Sequence, residues 1–192
     1  MINVTENEKK FKEMAATIRR PGIDRLMAWL EKTDFFVAPS STKYHGSERG
    51  GLCQHSLNVA NRIVQLQDLY CPNKYPREVL YLVALFHDVC KCNCYYASTM
   101  NVKDPETGKW MTKPCFGWNE KDLYGGHGSK SVYFIQDCMH LDIDEAAAIN
   151  CHMGFTKDND MRAVSQVFEH NNLAFLLHSA DMAATFIDEA KG

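Results

Sequence analysis

Hydrophobic residues recur at steps of three or four positions through most of the chain, which is the spacing of one buried helix face. The pattern predicts helices over residues 6–20, 23–31, 52–69, 77–89, 126–139, 143–151 and 172–189, with a short helix around 161–168. Pro21-Gly22 is expected to end the first of them. The segment 77–89 is apolar nearly all round, which is typical of a helix at the centre of its domain.

The helical pattern is interrupted between residues 93 and 124, where aromatic and β-branched residues dominate. The turn-like run Asp104-Pro105-Glu106-Thr107-Gly108 divides this segment, which predicts a β-hairpin or a hairpin-like loop inserted between helices. We expect a mainly α fold with one domain over 1–192, of which 1–49 form N-terminal helices and a loop and 50–192 the core. Five aromatic residues are expected to pack the hairpin onto the helices: Tyr95, Tyr96, Trp110, Phe116 and Trp118.

The composition is that of an ordinary globular protein, with 45% hydrophobic and 23% charged residues among 192. A net charge of −3 without a basic run disfavours long nucleic acids as partners. No stretch has the length and apolarity of a membrane span, and the first residues lack the apolar core of a secretory signal. A cytoplasmic protein with reduced cysteines is therefore expected. The run Cys90-x-Cys92-x-Cys94 has no second cysteine pair with zinc-site spacing.

Six histidine and aspartate residues are the candidate functional groups, and apart from one adjacent pair each lies in or beside a different predicted helix. They are His55, His87, Asp88, His127, His152 and Asp181. Inward-pointing histidines and carboxylates from several helices are how helical domains build metal sites. A buried Asp88 is costly unless it is paired or metal-bound. The alternative for the His87-Asp88 pair is a simple hydrogen bond at a helix end.

The order and surroundings of these residues resemble the HD superfamily of metal-dependent phosphohydrolases. Five segments carry the resemblance: Gly50–Leu57, Leu85–Lys91, Tyr124–Gly128, Ile149–Met153 and Leu177–Asp181. A second histidine often follows the fourth motif histidine in that family, and here the position holds Met153. The resemblance extends from about Gly50 to Glu189, which is most of the chain.

The resemblance implies an HD-domain helical bundle with phosphohydrolase or phosphodiesterase activity and two divalent metal ions. It implies one ion held by His55, His87, Asp88 and Asp181, and a second held by His127 and His152, with Asp88 bridging the two. Mn, Fe, Zn, Ni and Co are the candidate metals, with Mg a further candidate, and a metal-activated water attacks phosphorus. The expected substrate is a small phosphoester. A nucleotide is the first candidate, and a short oligonucleotide is the second.

Two lysines are candidates for contact with the phosphate. Lys91 lies three residues after Asp88 and can place its ammonium near developing negative charge, so these two are the candidate catalytic residues. Lys130 lies one helical turn after His127 and can also reach a phosphate. The alternative for each lysine is a solvated side chain. His178 lies three residues before Asp181 and is either a side chain that supports the ligands or a histidine of the core, and Asn58, one turn after His55, has the same two interpretations. Arg62, one turn further, is interpreted as a solvated charge.

Two other functions are compatible with this residue set. An HD-fold protein with four histidines and two aspartates can hold two irons and act as an O₂-dependent oxygenase, and ligand identity does not separate it from a hydrolase. An HD domain can also bind a nucleotide as a regulatory module without turning it over. Lys91 favours the hydrolase over the oxygenase, and the complete ligand set argues against a module without activity. The sequence determines neither the metal nor the substrate nor the oligomeric state.

Overall fold

The computed structural model describes residues 2–43, 46–119, 126–156 and 160–190. Within these ranges the chain forms eight α-helices and one antiparallel hairpin. The helices are α1 (Val4–Ala15), α2 (Ile23–Leu30), α3 (Gly51–Tyr70), α4 (Arg77–Phe86), α5 (His127–Cys138), α6 (Ile143–Cys151), α7 (Met161–His170) and α8 (Asn172–Ala183), and the strands are β1 (Tyr95–Lys103) and β2 (Trp110–Trp118). The predicted mainly α fold with a small hairpin is confirmed. Residues 120–125, which end the predicted insertion and begin the third motif, lie outside the described residues.

Local capping explains where half of these helices begin. Asn3, Asp160 and Asn171 each accept a hydrogen bond from a backbone N–H in the first turn of α1, α7 and α8. At α6, Asp142 accepts from the backbone of Glu145, whose carboxylate accepts in return from the backbone of Asp142. These polar residues account for the close agreement between the predicted and observed starts of α6 and α8.

Three helix ends differ from the prediction, and one of them is that of α8, which ends at Ala183 and continues as a π-helical turn over Ala184–Asp188. The first helix ends at Ala15 and not at Arg20, because the chain turns at once and Thr17 Oγ1 donates to the carbonyl of Met14 at 2.7 Å. Helix α4 ends at Phe86 and not at Val89. Asp88 has left helical geometry, with φ of −110° and ψ of 15°, and a 3₁₀ turn over Val89–Lys91 follows. His87 and Asp88 therefore lie just beyond the regular part of α4.

The hydrophobic core lies between α3, α4, α6 and α8. Helix α3 packs against α1, α4 and α8, and α6 packs against α5 and α8. All but the first turn of α4 is largely buried, as its continuous apolar pattern predicts. Helix α5 approaches α6 closely at Gly128, where a Cβ atom would lie 2.2 Å from the carbonyl oxygen of Asn150. A glycine is therefore required at the point where the start of α5 meets the end of α6.

The hairpin is attached to the helices only at its base. Tyr95 pairs with Trp118 across the strands, and its hydroxyl donates to the carbonyl of Ser40 at 2.8 Å. No residue between Thr99 and Pro114 is buried. The expectation that all five aromatics pack onto the helices is thus wrong for Tyr96 and Trp110, which are 54% and 73% exposed.

Within the described residues, no helix combines the length and the apolar character that crossing a bilayer requires.

Candidate metal centre

Five of the six predicted metal ligands meet at one point in the core. They are His55 from α3, His87 and Asp88 from the end of α4, His152 from the end of α6 and Asp181 from α8. Their ligand atoms form two overlapping groups whose members all lie within 4.8 Å of one another: His55, His87 and Asp181 in one, and His87, Asp88 and His152 in the other. Four helix segments thus bring together a buried set of nitrogen and oxygen donors.

Asp88 lies between the histidines and presents a different oxygen to each side. Its Oδ2 is 3.5 Å from Nε2 of His87 and 3.8 Å from Nε2 of His55, whereas its Oδ1 is 3.6 Å from Nε2 of His152. The side chain is only 2% exposed. A carboxylate whose two oxygens face separate histidines has the arrangement needed to bridge two cations.

Backbone carbonyls fix the tautomers of two of these histidines. Nδ1 of His87 donates to the carbonyl of Ala84 at 2.8 Å, and Nδ1 of His152 donates to the carbonyl of Ile149 at 2.7 Å. Since a carbonyl only accepts, each Nδ1 carries a proton, and in the neutral ring the lone pair is on Nε2. Nδ1 of His178 donates to the carbonyl of His152 at 2.7 Å, so the His178 side chain contacts the backbone of this residue.

Three of the converging atoms lack a hydrogen bond. Nε2 of His87, Nε2 of His152 and Oδ1 of Asp88 are fully buried, and no described residue donates to or accepts from them. Leaving a buried polar atom unsatisfied costs about 1–3 kcal/mol. A divalent metal ion would satisfy all three at once, and imidazole with carboxylate is a suitable donor set for Mn, Fe, Co, Ni or Zn. The residues present therefore fit a metal ion.

The protonation states of His87, Asp88 and Asp181 suit metal ligation. Burial lowers the pKa of His87 to about 4, so its imidazole is neutral at neutral pH. Burial opposes ionisation of Asp88, but the positive charge of Lys91 and the interactions with His87 and His152 together outweigh it and hold the pKa of Asp88 well below its usual value. Burial also opposes ionisation of Asp181, and its hydrogen bond and charge interactions with His55 and the other histidines together lower the pKa. Both carboxylates are therefore ionised.

His55 lies between two carboxylates. Its Nε2 is 3.1 Å from Oδ1 of Asp181, and its Nδ1 is 3.0 Å from Oε1 of Glu189. Burial disfavours the charged imidazole, but these two hydrogen bonds prevail and raise the pKa of His55 to about 10. Sequence reasoning missed Glu189. The signal that could have identified it is its position eight residues after Asp181, on the same face of one predicted helix.

A cavity of about 740 Å³ opens over Asp88, His152 and Asp181. Lys91 lines it and places its Nζ 2.6 Å from Oδ2 of Asp88, as predicted for a cation beside the metal ligands. Lys43 also lines the cavity and was missed, because a lysine in an irregular loop has no pattern that marks it. The remaining wall is largely apolar and includes Met153, Met182 and Phe186.

Two predicted residues lie elsewhere. His127, the first residue of α5, belongs to neither of the two groups, and its Nδ1 is 3.6 Å from Sγ of Cys90. Lys130 does not line the cavity among the described residues. Its Nζ is 3.7 Å from Sγ of Cys94 and 5.7 Å from the centre of the Phe134 ring.

The contacts of Arg62, Asn58 and the cysteines lie outside the ligand set. Arg62 is not a free solvated charge, because its guanidinium pairs with Asp188. Asn58 donates to Oε1 of Glu189 at 2.9 Å and thus supports a ligand indirectly. All eight cysteines lie in the described part of the chain, and none forms a disulfide.

The chain matches no protein-family model, no curated protein and no solved structure. An assignment of function therefore depends on the motifs of the sequence and on the chemistry of this centre.

Proposed function

We propose that this chain is a metal-dependent phosphohydrolase of the HD superfamily that hydrolyses a small phosphoester such as a nucleotide. The observation that carries the proposal is the convergence of the buried Nε2 atoms of His87 and His152 on the carboxylate of Asp88. A metal ion is the partner that such lone pairs require, and its position beside a cavity of about 740 Å³ leaves room for a ligand of nucleotide size.

We further propose two metal ions. His55, His87, Asp88 and Asp181 would hold the first, and His127 and His152 the second. The support is Asp88, whose two oxygens face His87 and His152 on opposite sides. The nitrogen-rich donor set favours a transition metal over Mg²⁺, which prefers oxygen ligands.

When bound, divalent ions supply an activated water and neutralise charge on the phosphoryl group. The chain itself contributes a fixed cation: Lys91 is held against Asp88 and lines the cavity, so it can donate to a phosphoryl oxygen as negative charge develops. Lys43 adds a second positive charge to the same cavity. The apolar wall formed with Met153 and Phe186 suits a nucleobase or another apolar part of the substrate.

Turnover of bis-p-nitrophenyl phosphate with Mn²⁺, Ni²⁺, Co²⁺ or Zn²⁺ tests the proposal, followed by a panel of nucleotides. We expect Asp88→Ala to abolish both turnover and metal binding, because the variant removes the group that faces every buried histidine of the centre. His170→Ala is the matched control, since His170 is 76% exposed and belongs to neither ligand group. Retained activity in Asp88→Ala would contradict the assignment of the site.

The same preparation separates the hydrolase from a di-iron oxygenase with the same ligands. Metal analysis and the absorption spectrum identify iron after aerobic purification. A stable di-iron centre whose substrate consumption follows O₂ uptake would overturn the hydrolase proposal. Metal binding without turnover of any phosphoester in the panel would instead indicate a module that binds nucleotides.

A further inference from the structure

Glu189 contacts a metal ligand without belonging to the ligand set. Its Oε1 accepts a hydrogen bond from Nδ1 of His55, at 3.0 Å, on the side of the ring that faces away from Asp181. Because a carboxylate only accepts, this contact places a proton on Nδ1 and directs the Nε2 lone pair of a neutral ring towards Asp181 and Asp88. A carboxylate behind a histidine ligand raises the basicity of the ring and fixes its orientation.

A chain of amide side chains leads to Glu189 from the first helix. Asn7 Nδ2 donates to Gln54 Oε1 at 2.8 Å, Gln54 Nε2 donates to Asn58 Oδ1 at 2.8 Å, and Asn58 Nδ2 donates to Glu189 Oε1 at 2.9 Å. Every donor in the series points the same way, and the series ends on a group that cannot donate. One carboxylate oxygen thus receives hydrogen bonds from both Asn58 and His55.

The segment that carries Glu189 departs from regular helix. Helix α8 changes to a π-helical turn over Ala184–Asp188, immediately before Glu189. The Glu189 side chain is only 8% exposed, and its Oε2 is buried without a hydrogen bond from any described residue. A π-helical turn and a buried carboxylate oxygen without a hydrogen bond both lower the stability of the fold. Features of this kind are concentrated at functional sites.

We propose that Glu189 is a positioning residue that holds His55 in the tautomer and orientation required for metal binding, and that the amide series from Asn7 fixes Glu189 in place. The inference rests on the metal centre of the proposed function. It adds a carboxylate outside the six predicted ligands and links α1 to the centre through Gln54 and Asn58.

The test is metal affinity, measured by calorimetry with Zn²⁺ and Co²⁺, together with the visible absorption of the bound Co²⁺. Glu189→Gln retains the shape and an acceptor oxygen but loses the charge. We expect it to weaken binding by about 10–100-fold, as is typical when a carboxylate behind a histidine ligand is changed. The Co²⁺ bands should also shift, because the donor strength of His55 changes. Asn58→Leu should weaken binding less, because Glu189 keeps its contact with His55.

Asp188→Asn is the matched control. It removes one negative charge from the adjacent residue, whose partner is Arg62 and not His55. We expect unchanged metal affinity and Co²⁺ bands in this variant. Equal weakening in Asp188→Asn and Glu189→Gln would show that docking of the C-terminal segment, and not the contact with His55, is what matters. Wild-type affinity in Glu189→Gln would overturn the inference alone, whereas no metal binding by the wild-type chain would overturn the proposed function with it.

Discussion

At the scale of single residues, Asp88 is the position where burial and charge conflict most strongly. Its carboxylate is ionised and 2% exposed, and the only fixed cation in contact with it among the described residues is Lys91, at 2.6 Å. A buried charge is tolerated when it is paired and hydrogen-bonded, and removing its partner is strongly destabilising. Lys91 therefore has two separable effects: it neutralises Asp88, and it supplies positive charge to the cavity.

Replacing Lys91 by methionine should separate these effects. We expect turnover to fall about 100-fold, as for the loss of one donor that stabilises developing charge. Metal affinity should be equal or higher, because Lys91 is not a ligand and its positive charge repels a bound cation. Steady-state kinetics and calorimetry on the same preparation measure the two quantities.

Lys130→Met is the comparison for that experiment, since the same substitution is made at the other predicted phosphate contact. Lys130 lies against Cys94 and Phe134, so the substitution should change turnover little. If Lys91→Met lost metal affinity in proportion to its activity, Lys91 would act only by holding Asp88. If Lys130→Met lost as much activity as Lys91→Met, Lys130 would have to reach the substrate.

At the scale of helices and strands, the centre is built from helix ends. His87 and His152 are the residues that terminate α4 and α6, and their Nδ1 atoms each bond to a carbonyl of their own last turn. This contact fixes the ring at the end of its helix and leaves Nε2 as the nitrogen that faces Asp88.

The order of the helices could be predicted from the sequence because periodic burial is a local property of the chain. The end of α4 could not, because it depends on the side chain of His87 bonding to Ala84 and on the backbone turn at Asp88. Glu189 and Lys43 belong to the site through contacts between distant parts of the chain. Lys43 has no sequence pattern that distinguishes it from a surface residue, and the helical spacing of Glu189 from Asp181 is its one local signal.

The second metal is a prediction about α5 and α6. Gly128 allows the start of α5 to lie against the backbone of Asn150, two residues before His152. If His127 turns towards the centre when metal is present, the two helices supply the second pair of histidine ligands. We then expect His127→Ala to lower the metal content from about two ions per chain to about one, as a two-metal site requires.

Metal content is measured by elemental analysis and native mass spectrometry, with His170→Ala as the control for loss of an exposed histidine. An unchanged content in His127→Ala would remove the second metal from the proposal. It would leave the contact between His127 and Cys90 as the structural role of that residue.

At the scale of the whole molecule, the candidate metal centre connects the same helices that the hydrophobic core packs together. The ligands come from α3, α4, α6 and α8, which are also the helices that pack together in the core. A polar cluster inside an apolar core opposes folding until its charges and lone pairs are satisfied. Binding of metal to the folded chain should therefore act as a cross-link between four helices that are distant in the sequence.

Removing the metal should lower the stability of the entire fold and not only the activity. A ligand present at about 100 times its Kd stabilises the folded state by about 2.7 kcal/mol, which for a domain of this size corresponds to roughly 5–10 °C in Tm. We expect Tm to fall by this amount in EDTA and to recover when Mn²⁺ or Zn²⁺ is restored, and the Tm of Asp88→Ala to be insensitive to both. Calorimetric melting with a metal titration measures the shift. A wild-type Tm that stays constant while metal demonstrably binds would mean that the ion also binds the unfolded chain, or binds away from these four helices.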